Sequence, residues 1–206
     1  MDVKIMWIGS MVVSLAIGLG VGMAHSQSGA QGGHGAPGAH GLHGALHAPS
    51  STGAAQMYAE RDFEFDLPGT VAALTPYFGP VKEREWAPDW SPEFIRPTGG
   101  GQEVGAVFQT KSPWGTATWV MDHYAPVQGK VGYLIFIPET GVSRYDISLS
   151  QKDPATVHVH VWCSRTPLKS ANPRYLAEFE QFFTAQGPEW RDAITGMLAR
   201  TAAQPR

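Results

Sequence analysis

The chain has 206 residues, of which 43% are hydrophobic and 16% charged, with a formal net charge of −3. That length allows one domain plus an extension, and the composition supplies enough apolar material for a core. No run of Lys or Arg is present, which argues against nucleic acid as a partner. Cys163 is the sole cysteine, so an intrachain disulfide and any cysteine-based zinc or redox motif are excluded.

The first 26 residues read as a targeting segment. Lys4 precedes an apolar run, Ile5 to Ala24, that Gly and Ser dilute, and Ala24-His25-Ser26 places small residues where a signal peptidase cuts. A second cut is available after Ser28-Gly29-Ala30. The expectation is export, to the periplasm or as a secreted protein. The alternative is an uncleaved anchor that associates with a membrane, since the run is just long enough to span one. Residues 27–55 are Gly, Ala, Ser, Pro and His with almost no large apolar side chain, a composition expected to stay disordered as a linker. Its His34, His40, His43 and His47 are candidate metal ligands, although their irregular spacing among glycines gives a chelate a large ordering cost.

The folded part is expected over 56–202. Arg61 to Leu67 alternates charged and aromatic residues and predicts a half-buried strand ended by Pro68-Gly69. Thr70 is placed to cap a short helix over Val71 to Phe78, interrupted by Pro76. The segment Val81 to Phe94, "VKEREWAPDWSPEF", sets Trp86 and Trp90 among charges and prolines. Pro88 and Pro92 prevent a long helix there, so these large aromatics are expected to cover the end of a core or the mouth of a cavity.

Five further strands are predicted, at Val104–Gln109, Thr116–Tyr124, Val131–Ile137, Ser143–Ser150 and Thr156–Ser164. The turns between them are short, which suits an antiparallel meander. In the fourth, Tyr145, Ile147 and Leu149 alternate with Asp146, Ser148 and Ser150. In the fifth, Val157, Val159, Val161 and Cys163 alternate with His158, His160 and Trp162. One face of each should pack and the other meet solvent. A terminal helix follows, capped by Asn172 with Pro173 in its first turn and kinked or broken at Gly187-Pro188. Tyr175, Leu176, Phe179, Phe182 and Phe183, then Trp190, Ile194, Met197 and Leu198, form its apolar stripe.

The segment "PVKEREWAPDW" (Pro80 to Trp90) resembles the P-x-G-E-R-x-W-x-P-x-W stretch of small bacterial proteins of the START-like or SRPBCC superfamily. "GAVFQT" (Gly105 to Thr110), "TWV" (Thr118 to Val120) and Thr166-Pro167-Leu168 are also similar to that group, while Lys82 departs from its usual glycine. The resemblance covers about residues 57–200. It implies an α+β helix-grip fold: a curved antiparallel sheet of about six strands wrapped around a long C-terminal helix, with two short helices after the first strand. It also implies a hydrophobic cavity between sheet and helix. The function expected from it is binding or carriage of a small hydrophobic molecule or lipid, without a cofactor. A cyclase or dehydratase using the same cavity is the alternative, and a module with a metal-binding His-rich arm a third reading.

The candidate ligand-lining residues are Trp86, Trp90, Phe94, Phe108, Trp119, Tyr133, Phe136, Tyr145, Phe179 and Phe183, although aromatics also dominate ordinary cores. For catalysis the candidates are His123, His160 and Tyr133. His158 and His160 share a strand face and could share a metal with His123, but that face is expected to be the outer one. Asp122 and His123, as strand neighbours, are expected on opposite faces. Glu83, Arg84 and Glu85 could supply acid–base groups at a mouth, with surface ion pairs as the more ordinary expectation. Cys163, on the apolar face, is expected to be an inert buried thiol.

Overall fold

Alternation of apolar and polar side chains organises the described chain into one antiparallel sheet. The computed structural model describes residues 58–168 and 174–204. The expected signal segment, the linker with its four histidines and the Asn172-Pro173 start of the last helix lie outside the described residues. The strands are β1 (Ala59–Pro68), β2 (Glu93–Arg96), β3 (Val107–Ser112), β4 (Gly115–Ala125), β5 (Lys130–Ile137), β6 (Gly141–Asp153) and β7 (Thr156–Pro167). Their order across the sheet is β1-β7-β6-β5-β4-β3-β2. β2 to β7 thus form the expected meander, and β1 joins its end by pairing with β7, from Ala59 opposite Arg165 to Pro68 opposite Thr156.

The sheet has one strand more than the six expected. β2 is only four residues long and lies between Pro92 and Pro97, too short to show a period-two signal. Register shifts between Phe94 and Arg96, Met121 and His123, and Gln151 and Asp153 interrupt the ladders. Such bulges increase local twist and bend a strand. The apolar face is the one expected: Val157, Val159, Val161 and Cys163 of β7 and Tyr145, Ile147 and Leu149 of β6 are buried.

Between β1 and β2 the chain makes α1 (Val71–Leu74), which runs directly into a 3₁₀ turn at Thr75–Phe78, and a second 3₁₀ turn at Lys82–Glu85. Thr70 caps α1 through its backbone carbonyl, which accepts from Ala73 and Leu74, and not through its side chain. The C-terminal helix is two helices, α2 (Arg174–Phe182) and α3 (Gln186–Ala203). The interruption falls at Phe183–Ala185, ahead of Gly187-Pro188. Pro188 sits in the first turn of α3, where its missing N–H deprives the helix of no bond.

Both helices pack on the same side of the sheet, α3 against β1 and α2 against β7 and β1. Two glycines permit the approach. A Cβ at Gly187 would lie 3.1 Å from the Phe63 ring, and one at Gly141 would lie 2.6 Å from the Tyr175 ring. A side chain at Gly141 would have to displace the Tyr175 ring, and one at Gly187 would press on Phe63 by a few tenths of an ångström. Among the described residues, no helix is long and apolar enough to cross a membrane.

Candidate functional site

The tryptophan-rich segment closes one half of the space above the sheet. Trp86 Nε1 donates to the Tyr77 carbonyl at 2.7 Å and Trp90 Nε1 to the Pro80 carbonyl at 2.9 Å. Each ring is therefore pinned by the turn that precedes it. Trp90 meets Trp119 edge-on at 5.3 Å, and Trp86 packs on Trp190 of α3 at 5.4 Å. Trp190 also meets Phe63 of β1 edge-on at 5.4 Å. At the other end Phe183 packs on Phe179, Phe63 and Tyr145.

The structure brings most of the candidate ligand residues together here. Trp86, Trp90, Phe108, Trp119, Tyr133, Tyr145, Phe179 and Phe183 are buried, and Phe94 is half-buried against Phe108. Phe136 is not among them: it is 46% exposed. On β5 the inner positions are Val131, Tyr133, Ile135 and Ile137, so Phe136 has the opposite parity and faces outward. Trp119 Nε1 donates to Thr110 Oγ1, and the Tyr133 hydroxyl donates to the Phe78 carbonyl at 2.7 Å, which commits that proton to the backbone.

The polar groups on this inner side fall into two clusters, one at a residue that the sequence offered only as part of the Glu83-Arg84-Glu85 run and one around an arginine that it did not name. The first is Glu83. Glu85 does make a surface pair with Lys82, at 3.6 Å, and Arg84 donates to the Pro92 carbonyl. Glu83, however, is only 7% exposed. Burial raises its carboxyl pKa well above the ordinary value and so favours the protonated form. Burial, with the Glu83 charge nearby, also pushes the Tyr133 phenol well above its usual range. The 3₁₀ turn at Lys82–Glu85 rotates Glu83 inward, and a charged "KERE" run carries no signal of that.

The second cluster surrounds Tyr175 of α2. The Arg165 guanidinium lies 4.8 Å from the centre of the Tyr175 ring and 4.7 Å from that of Phe179, in cation–π geometry. It donates to the Tyr175 carbonyl, and Ser143 shares a hydrogen bond with the Tyr175 hydroxyl. Trp114, in the β3–β4 turn, meets the same ring edge-on at 5.6 Å. Arg165 Nε and Trp114 Nε1 are both buried and without a hydrogen-bond partner among the described residues, as is Trp190 Nε1 deeper in. Arg165 has no carboxylate partner among the described residues either. Its place was available from the alternation of β7: two residues beyond Cys163, the inner face continues at Arg165. Cys163 itself is fully buried, and burial pushes its thiol up to about 12, so it is not a nucleophile near neutral pH.

The catalytic candidates other than Tyr133 lie on the outer face. His160 and His158 are half-buried there, with His160 Nε2 3.2 Å from Asp62 Oδ2 and His158 Nδ1 2.9 Å from Asp66 Oδ1. His123 is on β4, three strands from β7, about 14 Å by strand spacing, so it cannot complete a metal site with the other two. The expectation that Asp122 and His123 face opposite sides is also corrected. The bulge between Met121 and His123 breaks the alternation, and both line an open outer groove of ≈ 700 Å³ with Lys130, Arg144, Asp146 and Trp162.

No family model and no curated protein matches the sequence. The fold does match solved structures. Norcoclaurine synthase from Thalictrum flavum, in complex with dopamine and hydroxybenzaldehyde, superposes with a TM-score of 0.52 at 10% identity, covering 73% of this chain and 90% of that one. A point mutant of the same enzyme with a transition-state analogue gives 0.53 at 11% identity, covering 71% and 98%. The chain has the helix-grip fold that its resemblance to START-like proteins implied. At this identity the likeness extends to the fold alone.

Glu83 yields a pH test. A carboxyl whose folded-state pKa is raised keeps its proton where the unfolded chain releases it. Stability therefore falls as pH rises from the ordinary glutamate value toward the raised one, by at most about 1.4 kcal/mol per pH unit for one proton. Urea denaturation of wild type and Glu83→Gln from pH 4 upward should show a decline that the variant lacks. Parallel curves would show that Glu83 is not held protonated.

Proposed function

We propose that the protein is an exported carrier of a small apolar molecule bearing a carboxylate, held on the concave side of the helix grip. The observation that carries this reading is Arg165: an inner-face cation, stacked on two aromatic rings, with a buried unbonded Nε and no carboxylate partner among the described residues. A buried donor without an acceptor costs roughly 1–3 kcal/mol, and more where charge is involved. An acid group bound by Arg165 would supply the acceptor its Nε lacks, while its apolar portion lay against Tyr175, Phe179 and the neighbouring rings. A protein of the same fold has been solved with dopamine and hydroxybenzaldehyde, which supports small organic molecules as the class of ligand.

A second reading, proton-transfer chemistry of the cyclase or dehydratase kind, is favoured by one observation, the buried Glu83 beside Tyr133. A neutral carboxylic acid in an apolar enclosure can donate a proton to a bound substrate. Glu83 would carry that chemistry in place of His123 and His160, which lie on the other face.

Calorimetry with decanoate and decan-1-ol tests the carrier reading. A charge-assisted hydrogen bond to Arg165 should make the acid bind roughly tenfold or more tightly than the alcohol. Arg165→Gln should erase the difference while leaving alcohol binding in place. Equal binding of the two by wild type contradicts the reading. Intact-mass analysis of exported protein tests export: an N-terminus at Gln27 or Gln31 is expected, and retention of Met1 would contradict cleavage.

A further inference from the structure

The sequences "DFEFD" and "HVH" each place every second residue on one face. Antiparallel pairing of β1 with β7 then sets them side by side: Glu64 lies opposite His160 and Asp66 opposite His158 on the outer face. Asp66 is neutralised by Lys152 at 2.6 Å. Asp62 and Glu64 have no lysine or arginine partner among the described residues; their side-chain partners there are the two imidazoles. His160 Nε2 is 3.2 Å from Asp62, and His158 Nε2 is 3.7 Å from Glu64. One ligand atom from each of Asp62, Glu64 and His160 lies within 4.8 Å of the others.

The structure assigns a binding site for a borderline divalent cation, Zn²⁺ or one of similar preference, to Asp62, Glu64 and His160. Zinc bonds of ~2.0–2.2 Å set tetrahedral ligand atoms ~3.4 Å apart, a contraction within reach of side-chain rotation at half-exposed positions. The imidazole selects against calcium and magnesium, which take oxygen ligands. β1 is an edge strand, and edges carry charge to discourage pairing with other chains. Edge protection needs charge only, however; it does not need a ring nitrogen set against Asp62 with the Glu64 carboxylate within 4.8 Å of both. Two negative charges and one neutral imidazole leave room in the coordination sphere for water, so the bound ion is accessible from solvent. The site lies across the sheet from Arg165, and its success or failure is independent of the carrier reading.

The test uses the full chain with His25, His34, His40, His43 and His47 all replaced by Ala, so that the N-terminal histidines contribute nothing. Calorimetric titration with Zn²⁺ should reveal one site. His160→Ala and Glu64→Gln should each weaken it at least about tenfold, with unchanged thermal melting, and Asp146→Asn in the outer groove should have no effect. Co²⁺ should broaden the NMR signals of β1 and β7 selectively. Loss of all zinc uptake on removing these five N-terminal histidines, or unchanged affinity in His160→Ala, would overturn the assignment.

Discussion

The constraint that governs this molecule is the need to cover the broad apolar face of a seven-stranded sheet from one side. Helices α2 and α3 pack on β7 and β1, at one end of the sheet order. The aromatic face on β3 and β4 is closed by something else: the irregular segment carrying Trp86 and Trp90. Trp190 joins the two coverings, since it touches Phe63 on β1 and both Phe78 and Trp86 in the irregular segment. Fully burying rings of this size contributes on the order of a few kcal/mol each, with edge-to-face geometry adding to it. The geometry of each indole follows from this role. A tryptophan wedge needs its N–H satisfied, and the carbonyls of Tyr77 and Pro80, left free by a chain that is not in regular structure, accept those bonds.

The same packing separates two kinds of polar atom. Trp86, Trp90, Trp119 and Tyr133 spend their donors on protein acceptors and behave as core. Trp114, Trp190 and Arg165 retain buried donors that the described protein does not satisfy. A side chain's aromatic character therefore does not distinguish lining from core in this fold. In the proposed carrier the unsatisfied donors of Arg165 and Trp114 move attention from the centre of the sheet to the cluster around Tyr175.

Much of the architecture was legible from period-two alternation, because the strands with one buried face write that burial directly into their sequence. β6 and β7 are the clearest cases. β2 was not legible, since four residues between prolines hold no period. The split between α2 and α3 was not either: an apolar stripe runs through Phe182, Phe183 and Trp190 whether or not the backbone is continuous, and the proline that suggested a kink at 188 serves as a helix start. The site was less legible than the fold. Phe136 and the Asp122–His123 pair were misplaced because parity must be counted from a known buried residue and resets at a bulge. Glu83 was offered only within the Glu83-Arg84-Glu85 run and expected in a surface ion pair; its burial was not legible because a 3₁₀ turn can direct one charge of a polar run inward. Arg165 and the Asp62–Glu64–His160 cluster were within reach, the first by extending the β7 alternation and the second by fixing the β1–β7 register. The latter is a long-range pairing that no local pattern specifies.

The central claim, that an acidic apolar molecule docks where buried donors stand unsatisfied, is read most directly by NMR of the indole and guanidinium N–H groups during titration with decanoate. The account predicts downfield movement of the Trp114 Nε1–H and Arg165 Nε–H signals, with those of Trp86, Trp90 and Trp119 holding their positions because their acceptors are internal. Movement confined to Trp162 on the outer face, or no movement at Arg165 and Trp114 at saturating ligand, would contradict it.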